Sequence, residues 1–386
     1  MVVQLFWLRE KLVVMIKIGY VTFIAPSDRR SSSGTVFKMR EAIEAAGFEV
    51  VWIPYHRVTI HTILHWIILT ARNVFGRKKW LRGEHYEPIA KGYAKSIDKS
   101  LIQQCDYLFF PFAGQIYPFL DTDVPSIYFS DATTPLMINY YFRNLSEKSI
   151  RMASLLDQQG CAAAYINIRS SRWALDSTIK DCGGNPDRCF VLELGANIDK
   201  KDIIHNEPYN GGPLNILFSG VDWERKGGDI AVETVRLLRD KGIDAHLIVA
   251  GPKSIPNTAR GEFVEFVGFL NKNDEADYKR YVELFRRSHL FLLPTKAECV
   301  GIVFCEAAAF GLPCYTYDTG GTSNYVVNSV NGYALPEGSS AKAFAEHIYQ
   351  DIHDDNLRVL RDGALKLSKE RLSWDVWSKG FKKIMG

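Results

Sequence analysis

Closely paired cysteines, long uncharged apolar runs, a dominant sign of charge and a G-x-G-x-x-G turn are all missing from this chain of 386 residues. Each absence excludes something. The seven cysteines, at positions 105, 161, 182, 189, 299, 305 and 314, are odd in number and lack the spacing of zinc ligands. They read as reduced, mostly buried thiols of a cytosolic protein, and the chain's length excludes a small disulfide scaffold. No stretch of about 20 apolar residues is free of charge, which argues against a transmembrane span. The apolar N-terminus is broken by Arg9, Glu10 and Lys11 and has no small-residue cleavage site, so it does not read as a secretory signal. With 47 Lys and Arg against 44 Asp and Glu, the net charge of +3 is too small to mark a nucleic-acid binder. The missing glycine turn weighs against a dinucleotide dehydrogenase, and no internal repeat or low-complexity tract occurs.

What is present is an ordinary globular balance, 47% hydrophobic and 24% charged, in a length that suits two or three domains at roughly 150 residues each. Residues 16–24 read as a buried strand, followed by a Ser/Gly-rich turn at 31–34 and a helix over about 35–47. Strands are expected again at 48–55, 105–112, 125–130 and 161–168. After a polar, turn-rich stretch at 205–213, a second series begins with strands near 215–220, 245–251, 263–268, 289–294 and 313–317. Its helices are expected over about 229–241, 274–287 and 302–310. Strands alternating with helices imply parallel sheets, so the fold class is α/β, two doubly wound units facing a cleft. The boundaries are an extension at 1–14, an N-terminal domain at 15–205, a linker at 206–213 and a C-terminal domain at 214–386. The last helix carries Trp374, Trp377 and Phe381 at helical spacing and can cover either domain, including by crossing back to the first.

Two motifs of the second unit carry chemistry. In AECVGIVFCEAAAFGLP (297–313), Glu298 and Glu306 flank the opening of a helix at Gly301 and Ile302. Eight residues on a helix put the carboxylates on one face about 12 Å apart, a separation suited to gripping two ends of an elongated ligand. The helix N-terminus can receive a phosphate or a sugar hydroxyl. A surface Glu with a capping Glu is the plainer alternative. In FSGVDWERKGGD (218–229), Arg225 and Lys226 stand at a strand's carboxyl end, where a cation can neutralise a diphosphate, or where a charged turn is simply solvated.

The order of these motifs resembles the family-4 retaining glycosyltransferases of GT-B fold, with two Rossmann-like domains. The resemblance runs from Ile16 through LELGANID (192–199) to the carboxylate pair and TGGTSNYVVNSVNGYAL (319–335). It implies a nucleotide-sugar donor with no cofactor and no metal, and a glycan or lipid-linked acceptor as in polysaccharide biosynthesis. Glu306 would hold the ribose hydroxyls, Glu298 the donor sugar, and Lys226 the diphosphate. The backbone around Gly220, Val300, Gly301 and Ile302 would meet the sugar or phosphate. Three departures stand out. Val221 replaces the family's Arg, so Arg225 is the substitute or Lys226 acts alone. Ser130 and Asp131 stand where a His is usual, leaving Asp131 as a sugar-facing residue or a turn cap. Asn324 replaces a Glu. A GT-B sugar-nucleotide epimerase and a non-catalytic sugar-binding protein are the rival readings.

Ser33, Gly34 and Thr35 open a helix where the family's first domain approaches the substrates, and also form an ordinary strand-to-helix turn. Arg29 and Arg30 read as contacts to an anionic acceptor or as a solvated pair. Asp121 with Asp123, and His61 with His65, have metal-like spacings without the supporting ligands. Residues 60–82 put Ile60, Ile63, Leu64, Ile67, Ile68, Ala71, Val74 and Phe75 on one helical face, next to Arg72, Arg77, Lys78, Lys79 and Arg82. That pattern fits a helix lying on the cytoplasmic face of a membrane, or one packed on the first sheet.

Overall fold

The computed structural model describes residues 15–29, 31–205 and 207–386; the extension at 1–14 and Arg30 lie outside the described residues. Two six-stranded sheets with flanking helices organise the chain. The first comprises β1 (Lys17–Thr22), β2 (Glu49–Pro54), β3 (Tyr107–Pro111), β4 (Ser126–Ser130), β5 (Ile166–Arg169) and β6 (Cys189–Val191), in the order β2-β1-β3-β4-β5-β6. The second comprises β7 (Leu214–Ser219), β8 (Ala245–Ala250), β9 (Val264–Gly268), β10 (Leu290–Leu293), β11 (Cys314–Asp318) and β12 (Gly332–Pro336), in the order β12-β11-β10-β7-β8-β9. Neighbouring strands pair in parallel throughout both sheets. Parallel strands buried on both faces require continuous apolar runs; β10 (LFLL) is fully buried along its length.

The strand expected at 161–168 begins only at Ile166, because Cys161–Ala163 finish the helix Glu147–Ala163. An Ala/Cys run is apolar in either conformation, and the Ser146 side chain, which accepts from the Ser149 amide at 3.2 Å, starts a helix long enough to absorb it. Strands β6 and β12 were not expected: β6 has only three residues, and β12 (GYALP) begins with Gly and ends with Pro, which read as turn residues.

In α/β sheets ligands bind outside the carboxyl ends of strands where the strand order reverses. Here the reversals fall between β1 and β3 and between β7 and β10. The loops leaving β1, β7 and β10 hold Ser33, Lys226 and Glu298 respectively. The first helix, α1 (Thr35–Ala45), follows β1. The C-terminal helix (Trp374–Met385) packs against α1 and sets the Phe381 ring 5.5 Å from Phe48 and 6.0 Å from Phe109 in the first domain. It thereby crosses back from the second domain to the first.

A second helix, α2 (Ile63–Phe75), follows β2. Its inner stripe is Thr62, Trp66, Leu69 and Asn73, and the apolar face marked in the sequence faces outward, with Ile63, Leu64, Ile67, Val74 and Phe75 exposed. No helix among the described residues is long and apolar enough to cross a membrane. All seven cysteines are free and buried.

Candidate active site

The loops after β7 and β10 meet backbone to backbone. Gly227 has φ +75°, and a Cβ there would lie 2.1 Å from the Pro294 carbonyl oxygen, so glycine is required. The Lys296 amide donates to the Arg225 carbonyl at 2.8 Å, fixing the two loops together. This brings the Lys226 ammonium onto the Glu298 carboxylate in a short, nearly buried ion pair. Arg225 donates to the Ala297 carbonyl at 2.8 Å and to the Tyr141 hydroxyl at 3.0 Å, and reaches Glu298 at 4.0 Å.

The first domain closes over Glu298 through a tyrosine pair. The Glu298 amide donates to the Tyr140 hydroxyl at 2.7 Å, and Tyr140 also bonds Thr319 at 2.8 Å. Tyr141 donates to the Ala297 carbonyl at 3.0 Å and lies 3.4 Å from a Glu298 carboxylate oxygen. Burial, then the neighbouring Glu298 charge, pushes the Tyr141 hydroxyl pKa far above the usual phenol range, so it stays a neutral donor. The T-G-G segment wraps the same point, since a Cβ on Gly320 would sit 2.2 Å from the Glu298 carbonyl oxygen.

Glu306 is fully buried in the helix Ile302–Ala309. Lys272, from the loop after β9, donates to one carboxylate oxygen at 2.7 Å, and the Tyr281 hydroxyl donates to the other at 2.6 Å. A cavity of about 390 Å³ opens above this cluster, walled by Ser219, Gly220, Arg225, Lys226, Lys272, Tyr281, Glu298, Gly301, Ile302 and, from the first domain, Arg29 and Ser33. Four cations line it, each with a carboxylate partner: Arg29 with Asp199 at 3.1 Å, Arg225 and Lys226 with Glu298, and Lys272 with Glu306. The αL conformation of Gly301, φ +70°, aims the first turn of the helix into the cavity and adds backbone amides to its wall.

Not every residue marked in the sequence reaches this cavity: Glu306 lies beneath the wall, fully buried, with its two oxygens taken by Lys272 and Tyr281. Val300 is packed in the core, and the Thr35 hydroxyl is buried and accepts from the Asn197 amide at 3.0 Å, which also holds the Ser33 carbonyl at 3.0 Å. Gly34 caps α1 in the αL conformation beside Ser33. Asp131, at the end of β4, has its pKa pushed up to about 6 by burial and then by the Glu298 charge, which puts it within electrostatic reach of the site. Asp121 pairs with Lys99 at 2.9 Å and precedes β4, at the amino end of the strand and away from the carboxyl ends that face the cleft. His61 is exposed and His65 lies against Tyr86 at 6.1 Å. Sequence reasoning missed Tyr140, Tyr141, Tyr281 and Lys272. Lys272 alone carried a signal, following the carboxyl end of a strand; the tyrosines reach the site across separations that no local pattern records.

Residues 199–361 match the group 1 glycosyl transferases. This group 1 segment contains Lys226, Lys272, Glu298 and Glu306. Over 237 residues the chain is 24% identical to a D-inositol 3-phosphate glycosyltransferase of Xylanimonas cellulosilytica, spanning 57% of this chain and 56% of that one. It is 26% identical over 161 residues to the capsular polysaccharide biosynthesis glycosyltransferase CapM of Staphylococcus aureus, 40% of this chain and 41% of the relative. These matches therefore span about half the length of the relatives. Among solved structures, sucrose-phosphate synthase from Thermosynechococcus elongatus superposes with a TM-score of 0.69 at 13% identity, covering 96% of this chain and 98% of the other. Anabaena HepE in complex with UDP and glucose gives a TM-score of 0.62 at 15% identity, covering 96% and 99%. The fold is GT-B, and the resemblance to GT-B glycosyltransferases read from the sequence stands.

Proposed function

We propose that this protein is a retaining, hexosyltransferase-like glycosyltransferase that moves a sugar from a nucleotide-diphosphate sugar to a glycan or lipid-linked acceptor. The observation that carries the reading is the cavity at the β7/β10 reversal, lined by Arg225, Lys226, Lys272, Glu298 and the helix start at Gly301 and Ile302, with Lys272 joined to the buried Glu306. Glu306 holds the ribose hydroxyls, with Lys272 and Tyr281 holding Glu306 in place. Glu298 takes the donor sugar hydroxyls. The anion cluster of a diphosphate draws Lys226 from Glu298, and Arg225, tethered to Tyr141, fills the position that Val221 leaves empty.

In this mechanism the bond from the anomeric carbon to the leaving phosphate breaks as the acceptor oxygen bonds on the same face. The acceptor proton passes to the departing phosphate oxygen. The protein's part is to stabilise negative charge growing on the diphosphate and to align the two substrates. Cations and helix amides do this without a metal or cofactor. Anabaena HepE, solved with UDP and with UDP-glucose, makes a uridine nucleotide the first donor to test. The relatives named for capsular polysaccharide and amylovoran biosynthesis support a growing polysaccharide as acceptor. Seven free buried thiols support a cytoplasmic setting.

The test is a thermal-shift screen with nucleoside diphosphates and their sugars, followed by transfer assays with anomeric analysis of the product. A ligand at 100 times its Kd stabilises by about 2.7 kcal/mol. Failure of every nucleotide to stabilise the protein would overturn the reading. Transfer that stops in EDTA would overturn its metal-free form, and a donor isomerised without any acceptor would identify an epimerase.

A further inference from the structure

The outward face of α2 is unusual for a water-facing helix. Of the 17 large hydrophobic residues left exposed among the described residues, seven fall between Val58 and Phe75, from Ile63 at 50% to Ile60 and Phe75 at 87%. The packing of α2 does not need them. Its inner stripe already supplies the contacts: Leu69 is fully buried, the Trp66 indole donates to the Arg57 carbonyl at 2.9 Å, and Asn73 clasps the Trp80 backbone at 2.7 and 3.1 Å. On a helical wheel this stripe and the line Ile60, Ile63, Leu64, Ile67, Ala71, Val74 fall on nearly opposite sides.

Charge selects the occupant of that face. Residues 50–83 contain six Lys and Arg and no Asp or Glu. Arg72 stacks on Trp80 at 4.4 Å, and Arg77, Lys78, Lys79 and Arg82 are exposed just beyond the helix. A single helix with an apolar outer face and a cationic border free of acidic residues has the composition of an element lying in a lipid interface. An anionic headgroup layer is complementary to both parts at once.

We infer that α2 and the following loop form a docking surface for an anionic lipid bilayer, with Ile60, Ile63, Leu64, Ile67, Val74 and Phe75 entering the headgroup boundary and Arg77, Lys78, Lys79 and Arg82 meeting lipid phosphates. The surface is tied to the catalytic cleft. The Lys79 amide donates to the Asn144 carbonyl at 2.8 Å and the Ser146 amide to the Lys79 carbonyl at 2.9 Å, a few residues after the Tyr140–Tyr141 pair that holds Glu298. Docking therefore places the acceptor side of the site beside the membrane. Only this last step rests on the glycosyltransferase reading, and it favours a polysaccharide growing on a lipid carrier as the acceptor.

The experiment is co-sedimentation of the full chain with phosphatidylcholine vesicles, with and without phosphatidylglycerol. The parent protein is expected to bind the anionic vesicles and to be released by salt. Ile63→Ser/Ile67→Ser/Phe75→Ser and Arg77→Glu/Lys78→Glu/Arg82→Glu should each weaken binding roughly tenfold or more. Both variants should keep the parent's thermal shift with nucleotide, which separates failure of docking from misfolding and from failure of the donor reading. Absence of binding by the parent overturns the proposal, as does equal binding by either variant. Loss of binding on removing residues 1–14, with the α2 variants unaffected, would move the lipid contact to that segment and also overturn it. A dimer in analytical ultracentrifugation that the serine variant alone dissolves would assign the face to a second copy instead.

Discussion

At the residue scale, the site is a set of charges that depend on one another. Lys226 and Glu298 are each nearly buried and paired, and removing one partner of such a pair costs about 3–5 kcal/mol because the other is left without compensation. Lys226→Ala should therefore lose stability as well as turnover, while Lys226→Ala/Glu298→Ala should recover part of the stability and none of the turnover; a double-mutant cycle in denaturant measures the coupling. Glu306→Ala is expected to weaken free-nucleotide binding by about 1.5–3 kcal/mol, the range for hydrogen bonds to a charged acceptor. Calorimetric titration would show it, and Glu298→Ala should leave free-nucleotide affinity nearly intact. Asp131 adds a pH dependence. Its pKa is raised, first by burial and then by Glu298, to about 6, so the folded state binds its proton more tightly than the unfolded chain does. The resulting stabilisation is complete below the ordinary aspartate pKa and is lost as pH rises through about 6. Asp131→Asn should remove that fall; parallel denaturant titrations across this window, with the variant as steep as the parent, would exclude Asp131 as its source.

At the element scale, two loops and one helix terminus shape the cavity. The loops after β7 and β10 touch at Gly227, where φ is +75° and no Cβ fits against Pro294. Gly227→Ala should cost about 1–3 kcal/mol of stability and weaken nucleotide binding by shifting Lys226. Gly212→Ala, where nothing lies within 4 Å of an added Cβ, is the matched control and should be neutral in both assays. The helices expected over about 229–241 and 302–310 are Gly228–Asp240 and Ile302–Ala309; the amphipathic period of the first and the glycine start of each made them legible. The last turn of the helix Glu147–Ala163 read as strand because an Ala/Cys run is apolar in either conformation, and β6 and β12 were not read, the first for its three-residue length and the second for its terminal Gly and Pro.

At the scale of the whole molecule, the C-terminal helix makes one body of two domains. Trp377 is nearly fully buried and Phe381 fully so; the Trp374 indole donates to the Ala196 carbonyl at 3.0 Å, and Lys200 pairs with Asp375 at 2.7 Å. Phe381→Ala should cost about 3–5 kcal/mol, the usual range for emptying a buried aromatic site. Because Phe381 touches Phe48 and Phe109, the loss should appear in the melting of the first domain, although the residue lies at the end of the chain. Calorimetry showing the first domain's transition unmoved would contradict this role.

The sequence by itself determined the alternation of strands and helices, hence parallel sheets in two units, and it marked Glu298, Glu306, Arg225 and Lys226, whose meaning lies in short motifs at strand ends. Local rules reach that far because hydrophobic period, glycine turns and helix starts are encoded within a few residues. Only the tertiary structure decided which partners those residues meet. Tyr141 reaches Glu298 across 157 positions of the chain and Lys272 reaches Glu306 across 34, contacts that depend on strand order and on how the domains face each other. Tertiary packing also turned the apolar face of α2 outward: a period of 3.6 shows that a helix has an apolar side, and only the position of its neighbours settles whether the core or the solvent receives it.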